Sequence, residues 1–161
     1  MRRSWHHACA HPVRNPISRH GGDRVMTNAT AAKATGTFHV TSMEEDAYES
    51  LESGGKLTRA RGDQEFSGDI EGHGHVEWLM CYREDGSARF IGHQLMRCSV
   101  GGRPGTFVIE ASGDFDGSSS TGDWWVVPGS GTEQLEGITG NGSFEAAKGP
   151  MATYALDYEV S

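Results

Sequence analysis

The sequence has little of what builds a helical, disulfide-stapled or membrane-spanning protein. Three cysteines in 161 residues, one of them within the first 25, cannot form a disulfide framework, and such scarcity fits a reducing, cytoplasmic setting. No run of roughly 18 apolar residues occurs, so no membrane partner is expected. The longest apolar run near the N-terminus is Ala8-Cys9-Ala10, too short for a secretory signal. No Gly-Lys-Ser/Thr follows "GITGNG", which removes a nucleotide loop. Ser130 in "GSG" lacks the strand-turn-helix frame of a nucleophilic serine. Long stretches of Lys, Glu, Ala and Leu are missing as well.

What is present is glycine, 23 residues against 5 Pro, in a chain that is 35% hydrophobic and 9% aromatic. Many turns between short strands, around a modest core, make an all-β domain the expectation. Charge divides the chain. Residues 1–25 hold five Arg, one Asp and four of the eight His, while the remainder carries 9 Lys+Arg against 21 Asp+Glu. Residues 1–25 therefore read as a disordered basic extension, with Met26 as an alternative start, and 26–161 as a single barrel domain. His6, His7, Cys9 and His11 have no folded frame on which to hold a metal. In the acidic domain, arginines such as Arg59, Arg61 and Arg97 are interleaved with acids, so no clustered basic surface exists for nucleic acid.

Eight strands can be read from Thr37 onward, separated by turn chemistry such as "EDGS", "VGGRPG", "FDGSSSTG" and "AKGPM". The first is "TFHVTS". An acidic connection over 44–55 follows it, with a short helical turn expected around Tyr48 and Leu51. The stretch "GSGTEQLEGITGNGSFEA" connects two late strands at a barrel rim, with "LEGIT" as a compact turn around Leu135 and Ile138.

Treating Asp85-Gly86 as a two-residue turn sets Glu77 opposite Gln94, Leu79 opposite Gly92 and Cys81 opposite Phe90. Placing Cys98 opposite Phe107 carries the register onward. The predicted interior is then Leu79, Cys81, Phe90, Met96, Cys98, Phe107, Ile109, Ala111 and Phe115, with Glu77 and Gln94 as its polar members. Trp124 and Val126 join it, with Trp125 outward. The predicted exterior holds Val76 and an apolar stripe of Trp78, Met80, Tyr82, Ile91 and Leu95, too large to leave wet, so a homo-oligomer through that stripe is expected. A continuous antiparallel meander of about eight strands with one apolar face closes into a small barrel.

The blocks "LTRARGDQEFSGDIEGHGHVEWLMCY", "FIGHQLMRCSVGGRPGTFVIEASGDFDG" and "GDWWVVPGSGTEQLEGITGNGSFEA" resemble a family of small bacterial proteins, domain-of-unknown-function family 3224. The likeness runs roughly from Gly36 to Val160. It implies an allene oxide cyclase-like (calycin-like) barrel of eight antiparallel strands, often oligomeric. Plant allene oxide cyclases and dirigent proteins share that fold and guide reactive apolar intermediates through ring closure or coupling. In this chain Gln94 stands where the family tends to have an acid, Met43 where it tends to have Trp, and "VIEAS" replaces a Gln-His pair.

Among the residues themselves, the candidate catalytic pair is Glu77 with Gln94. A carboxylate desolvated in an apolar barrel has a raised pKa and can act as acid or base, with the amide holding its orientation. The alternative is a structural hydrogen bond between two buried polar groups. Leu79, Cys81, Phe90, Met96, Phe107, Ile109, Phe115 and Trp124 would line the pocket. His73 and His75 share one strand face as in metal-binding barrels, but no His follows His93 to complete a site, so no metal and no cofactor are expected. Cys81 and Cys98 read as core thiols. Two functions stay open: binding of a small apolar or amphipathic molecule, with cofactor-independent isomerisation or cyclisation as its catalytic form, or a non-catalytic barrel plugged by Phe90, Met96, Phe107 and Trp124.

Overall fold

The computed structural model describes residues 31–147 and 149–161; the basic segment 1–25 lies outside them. Eight strands, β1 (Ala32–Ser50), β2 (Lys56–Gly68), β3 (Ile70–Tyr82), β4 (Ala88–Val100), β5 (Arg103–Phe115), β6 (Ser120–Val126), β7 (Thr139–Ala146) and β8 (Met151–Glu159), follow one another in chain order. Each pairs antiparallel with its neighbours, and β8 closes on β1 to complete a barrel.

The period-2 pattern of β2 shows why. Thr58, Ala60, Gly62, Gln64 and Phe66 are buried, while Arg59, Arg61, Asp63 and Glu65 are exposed. The outward charges pair across strands: Arg61 with Glu44 and Asp46, His75 with Asp63, Arg89 with Asp114. This pairing overrides the helical turn expected near Tyr48. Glu44 and Asp46 lie opposite Arg61 and Arg59, so β1 continues as a strand through Ser50.

The hairpin between β3 and β4 differs from expectation in a way that reverses one strand. Val76, not Glu77, lies opposite Gln94, and Glu77 faces His93. The turn is not two residues long. Arg83 N–H bonds the Ser87 carbonyl at 2.8 Å and Gly86 N–H bonds the Arg83 carbonyl at 3.0 Å. Gly86 sits at φ 85°, open to glycine without strain, and the Asp85 carboxylate accepts from the Ser87 N–H and hydroxyl. One extra residue in the turn shifts the register by one, and a one-residue shift exchanges the faces of a strand. Val76, Trp78, Met80 and Tyr82 therefore point inward. Glu77, Leu79 and Cys81, expected in the interior, are on the outside, and the expected outer stripe keeps only Ile91 and Leu95.

The β4–β5 register is also displaced, with Met96 rather than Cys98 opposite Phe107, because the tight turn is Gly101-Gly102. A shift of two preserves the faces. Phe90, Gln94, Met96, Phe107, Ile109 and Ala111 are buried, Cys98 is half-buried, and Phe115 is half-buried at one end.

Rings fill the barrel's middle. Phe38, Phe66, Trp124, Phe144 and Tyr154 contact one another with centroids 4.9–6.2 Å apart. The Tyr154 hydroxyl accepts from the Ile70 N–H at 2.9 Å and donates to the Ser67 carbonyl at 3.1 Å, pinning the β2–β3 turn from inside. Gly36 makes this approach feasible, since a side chain there would run into the phenol. One end is closed by the glycine-rich stretch, where a 3-10 turn at Glu133–Leu135 sinks Leu135 and, just beyond it, Ile138 completely.

Candidate functional site

The opposite end of the barrel stays open. A recess of about 290 Å³ lies there, with Phe38, Trp78, Phe90 and Phe144 as its aromatic walls and Met43, Met80 and Met151 beside them. Alternation delivers the rings and Met80: Phe38 from β1, Trp78 and Met80 from β3, Phe90 from β4, Phe144 from β7; Met151, opposite the outward His39, borders the recess from the rim. Met43 turns inward because β1 carries a bulge between Val40 and Ser42, which re-aims the strand beyond it.

Two polar features accompany this recess. The indole Nε1 of Trp78 is buried and has no hydrogen-bond partner among the described residues. On the neighbouring parts of β1, β2 and β3, the Thr58 hydroxyl donates to the Glu45 carboxylate, and Tyr82 lies against the same carboxylate. Burial, and then the hydrogen bond and charge of Glu45, push the Tyr82 phenol up to about 12, so it remains a protonated donor across the physiological range.

Deeper inside are two buried amides, Gln64 and Gln94, each 1% exposed. Both reach the space over Gly74, where a side chain would meet the two of them. Neither amide atom of Gln64 has a partner among the described residues, and Gln94 Nε2 bonds only the soft Met96 Sδ at 3.2 Å.

The residues expected to form a catalytic pair are not together. Gln94 is in the core, while the Glu77 side chain is 44% exposed on the outer wall and ion-paired with the Arg59 guanidinium. There it borders an outer groove of about 660 Å³ with Leu79, Ile91, His93 and Glu110. The cause is the β3–β4 turn, which turns the Glu77 carboxylate out of the barrel and sets it beside a guanidinium. Of the expected pocket lining, Phe90 reaches the mouth recess; Met96, Phe107, Ile109 and Trp124 are core; Leu79 and Cys81 face outward. The Cys98 thiol is pushed up to about 12 by burial, which leaves it unreactive at neutral pH. His73 and His75 are on the exposed face, His75 held by Asp63 at 2.8 Å, and no group of three or more metal-ligating side chains occurs among the described residues.

Sequence reasoning missed Trp78 and Met80 as mouth residues. A usable signal was present in "HGHVEW", where His73, His75 and Glu77 alternate with Gly74, Val76 and Trp78. Ionisable residues at every second position mark the wet face without reference to any turn.

Fold and site together define a closed, eight-stranded antiparallel β-barrel protein with an aromatic-filled middle, one plugged end and one apolar mouth. More particularly, the chain belongs to the family described as "Protein of unknown function (DUF3224)", whose model matches residues 34–158. A solved structure from that family, a protein of unknown function from Shewanella oneidensis MR-1, is similar to it with a TM-score of 0.65. The similarity covers 82% of this chain and 98% of that one at 24% identity, which speaks to fold alone. No curated protein matches the chain. Neither finding bears on the comparison with allene oxide cyclases. No helix among the described residues is long and apolar enough to cross a membrane.

Proposed function

We propose that the protein binds a small apolar molecule at the open mouth of the barrel and does so without catalysing its conversion. The observation that carries this reading is the recess of about 290 Å³, walled by four aromatic rings and three methionines, above a middle already filled by rings. Methionines adapt their three torsions to an irregular guest, and aromatic walls supply contact area at little entropic cost. A ligand threaded through the barrel has no room, because Phe38, Phe66, Trp124, Phe144 and Tyr154 occupy its axis. The non-catalytic form is favoured because Glu77, the carboxylate a cyclase or isomerase reading relied on, is outside. Self-association, if it accompanies binding, would use Leu79, Ile91 and Leu95 on the outer wall, since Trp78, Met80 and Tyr82 point inward.

Native mass spectrometry of the full chain purified under mild conditions tests the proposal. The expected result is extra mass per subunit, released as a small organic molecule on denaturation and absent from Ala146→Phe, which fills the recess. A bare chain that also takes up nothing from an apolar metabolite extract overturns it in favour of a barrel filled solely by its own side chains.

A further inference from the structure

Closing a barrel requires its strands to be staggered, and here the stagger falls at one seam. β1 pairs with β2 from Gly36 to Ser50, but with β8 only from Ala32 to His39. Beyond His39 the β8 side of β1 is an open edge, and every residue from Val40 to Ser50 is exposed. No backbone group of residues 41–50 on that side has a partner among the described residues. β5 meets the same difficulty at the plugged end, where β6 pairs only with residues 109–115. There the chain covers the edge itself. The Val127 and Thr132 N–H groups donate to the Val108 and Thr106 carbonyls, both at 2.9 Å, and the Val108 and Thr106 N–H groups donate to the Ser130 and Thr132 hydroxyls at 3.0 and 3.1 Å. Nothing among the described residues does this for β1, and an exposed strand edge is a template for a further strand.

Two features select what can add. Bulges lie at Val40/Ser42 and Ala47/Glu49, and between them Ser42 to Ala47 run in unbroken register with β2, a regular stretch as long as an ordinary strand. Residues 42–50 contain Glu44, Glu45, Asp46 and Glu49 and no basic residue. A second copy of this chain would bring acid against acid, which disfavours edge-to-edge pairing of two barrels. Glu44 and Asp46 stand on the outer face, their side chains each 77% exposed, sharing the Arg61 guanidinium at 3.7 Å. Met43 and Ala47 stand on the inner face, opposite the buried Gly62 and Thr58.

We propose that the open edge of β1 is a docking site for an extended, basic segment of a partner protein, which adds to the barrel as a further strand over residues 42–47. Its lysines or arginines lie beside Glu44 and Asp46, and its alternate, apolar residues lie beside Met43 and Ala47. The docking stands independently of what the mouth recess holds. The probe is acetyl-Lys-Val-Lys-Val-Lys-Val-Lys-amide, with the same peptide carrying Glu for Lys as its control. Fluorescence anisotropy of the labelled peptides with the full chain should show binding of the Lys peptide alone. Glu44→Gln with Asp46→Asn should weaken that binding about 2- to 30-fold, the effect of two cross-strand ion pairs. Amide hydrogen exchange of the wild-type protein separates an added strand from attraction of charge alone. The amides of residues 42–47 that point away from β2 should exchange freely without the peptide and at least about 10-fold more slowly with it. Binding that slows none of them, or equal binding of the Glu peptide, overturns the proposal. Slow exchange before any peptide is added would mean that the chain itself or a second copy already covers the edge, and overturns it too, as does binding of neither peptide.

Discussion

Replacing Gln64 by methionine should make the protein more stable. The side chain is 1% exposed, and neither its amide nitrogen nor its amide oxygen has a partner among the described residues. Around it are Phe66, Gly74 and the Gln94 amide. Burying an unpaired amide costs on the order of 1–3 kcal/mol by mutational measures. Methionine has nearly the same length and an unbranched chain, so it removes the polar atoms with little change of volume, and volume-conserving swaps in a core usually cost under about 1.5 kcal/mol. The balance is a gain of about 1–2 kcal/mol, worth roughly 3–8 °C for a domain between the 100- and 150-residue classes. Differential scanning calorimetry of Gln64→Met beside the wild type reads it directly. Gln94→Met should gain less, because Gln94 Nε2 already has the Met96 sulfur. A lower melting temperature for Gln64→Met would overturn this expectation and mean that in solution the amide is hydrogen-bonded and is part of what holds the barrel together.

Three further outcomes follow from the same geometry. Tyr154→Phe strands the buried Ile70 N–H and should lose about 1–3 kcal/mol in urea unfolding, whereas Tyr48→Phe, on the exposed part of β1, should change stability by less than about 0.5 kcal/mol. The Tyr82 phenol is raised by burial and Glu45 to about 12, so between about pH 10 and 12 the unfolded chain has released that proton and the folded one has not. Stability therefore falls as pH rises through that window, and ultraviolet titration should show Glu45→Gln bringing the Tyr82 ionisation down. Deleting Glu84 shortens the β3–β4 turn by one residue, which drives Glu77, Leu79 and Cys81 inward and Val76 and Trp78 out; the expected circular dichroism spectrum is that of an unfolded or aggregated chain.

The class of fold was legible in local sequence pattern. Glycine-rich turns at regular intervals and alternating strands are local properties, and eight antiparallel strands with one apolar face close because an open edge leaves hydrogen-bonding groups unpaired. The inward placement of Phe90, Gln94, Met96, Phe107, Ile109, Trp124 and Val126 was also legible, since each lies on a strand whose own alternation is clear. The length of β1 was not, because "MEEDAYESLE" favours a strand only when Arg59 and Arg61 lie opposite its acids. Tertiary structure alone decided the faces of β3. Whether the "REDGS" turn closes over an even or an odd number of residues depends on Gly86 taking a left-handed conformation and Asp85 capping Ser87. That choice is worth little locally, yet it puts Glu77 outside in water and brings Trp78 to the barrel mouth.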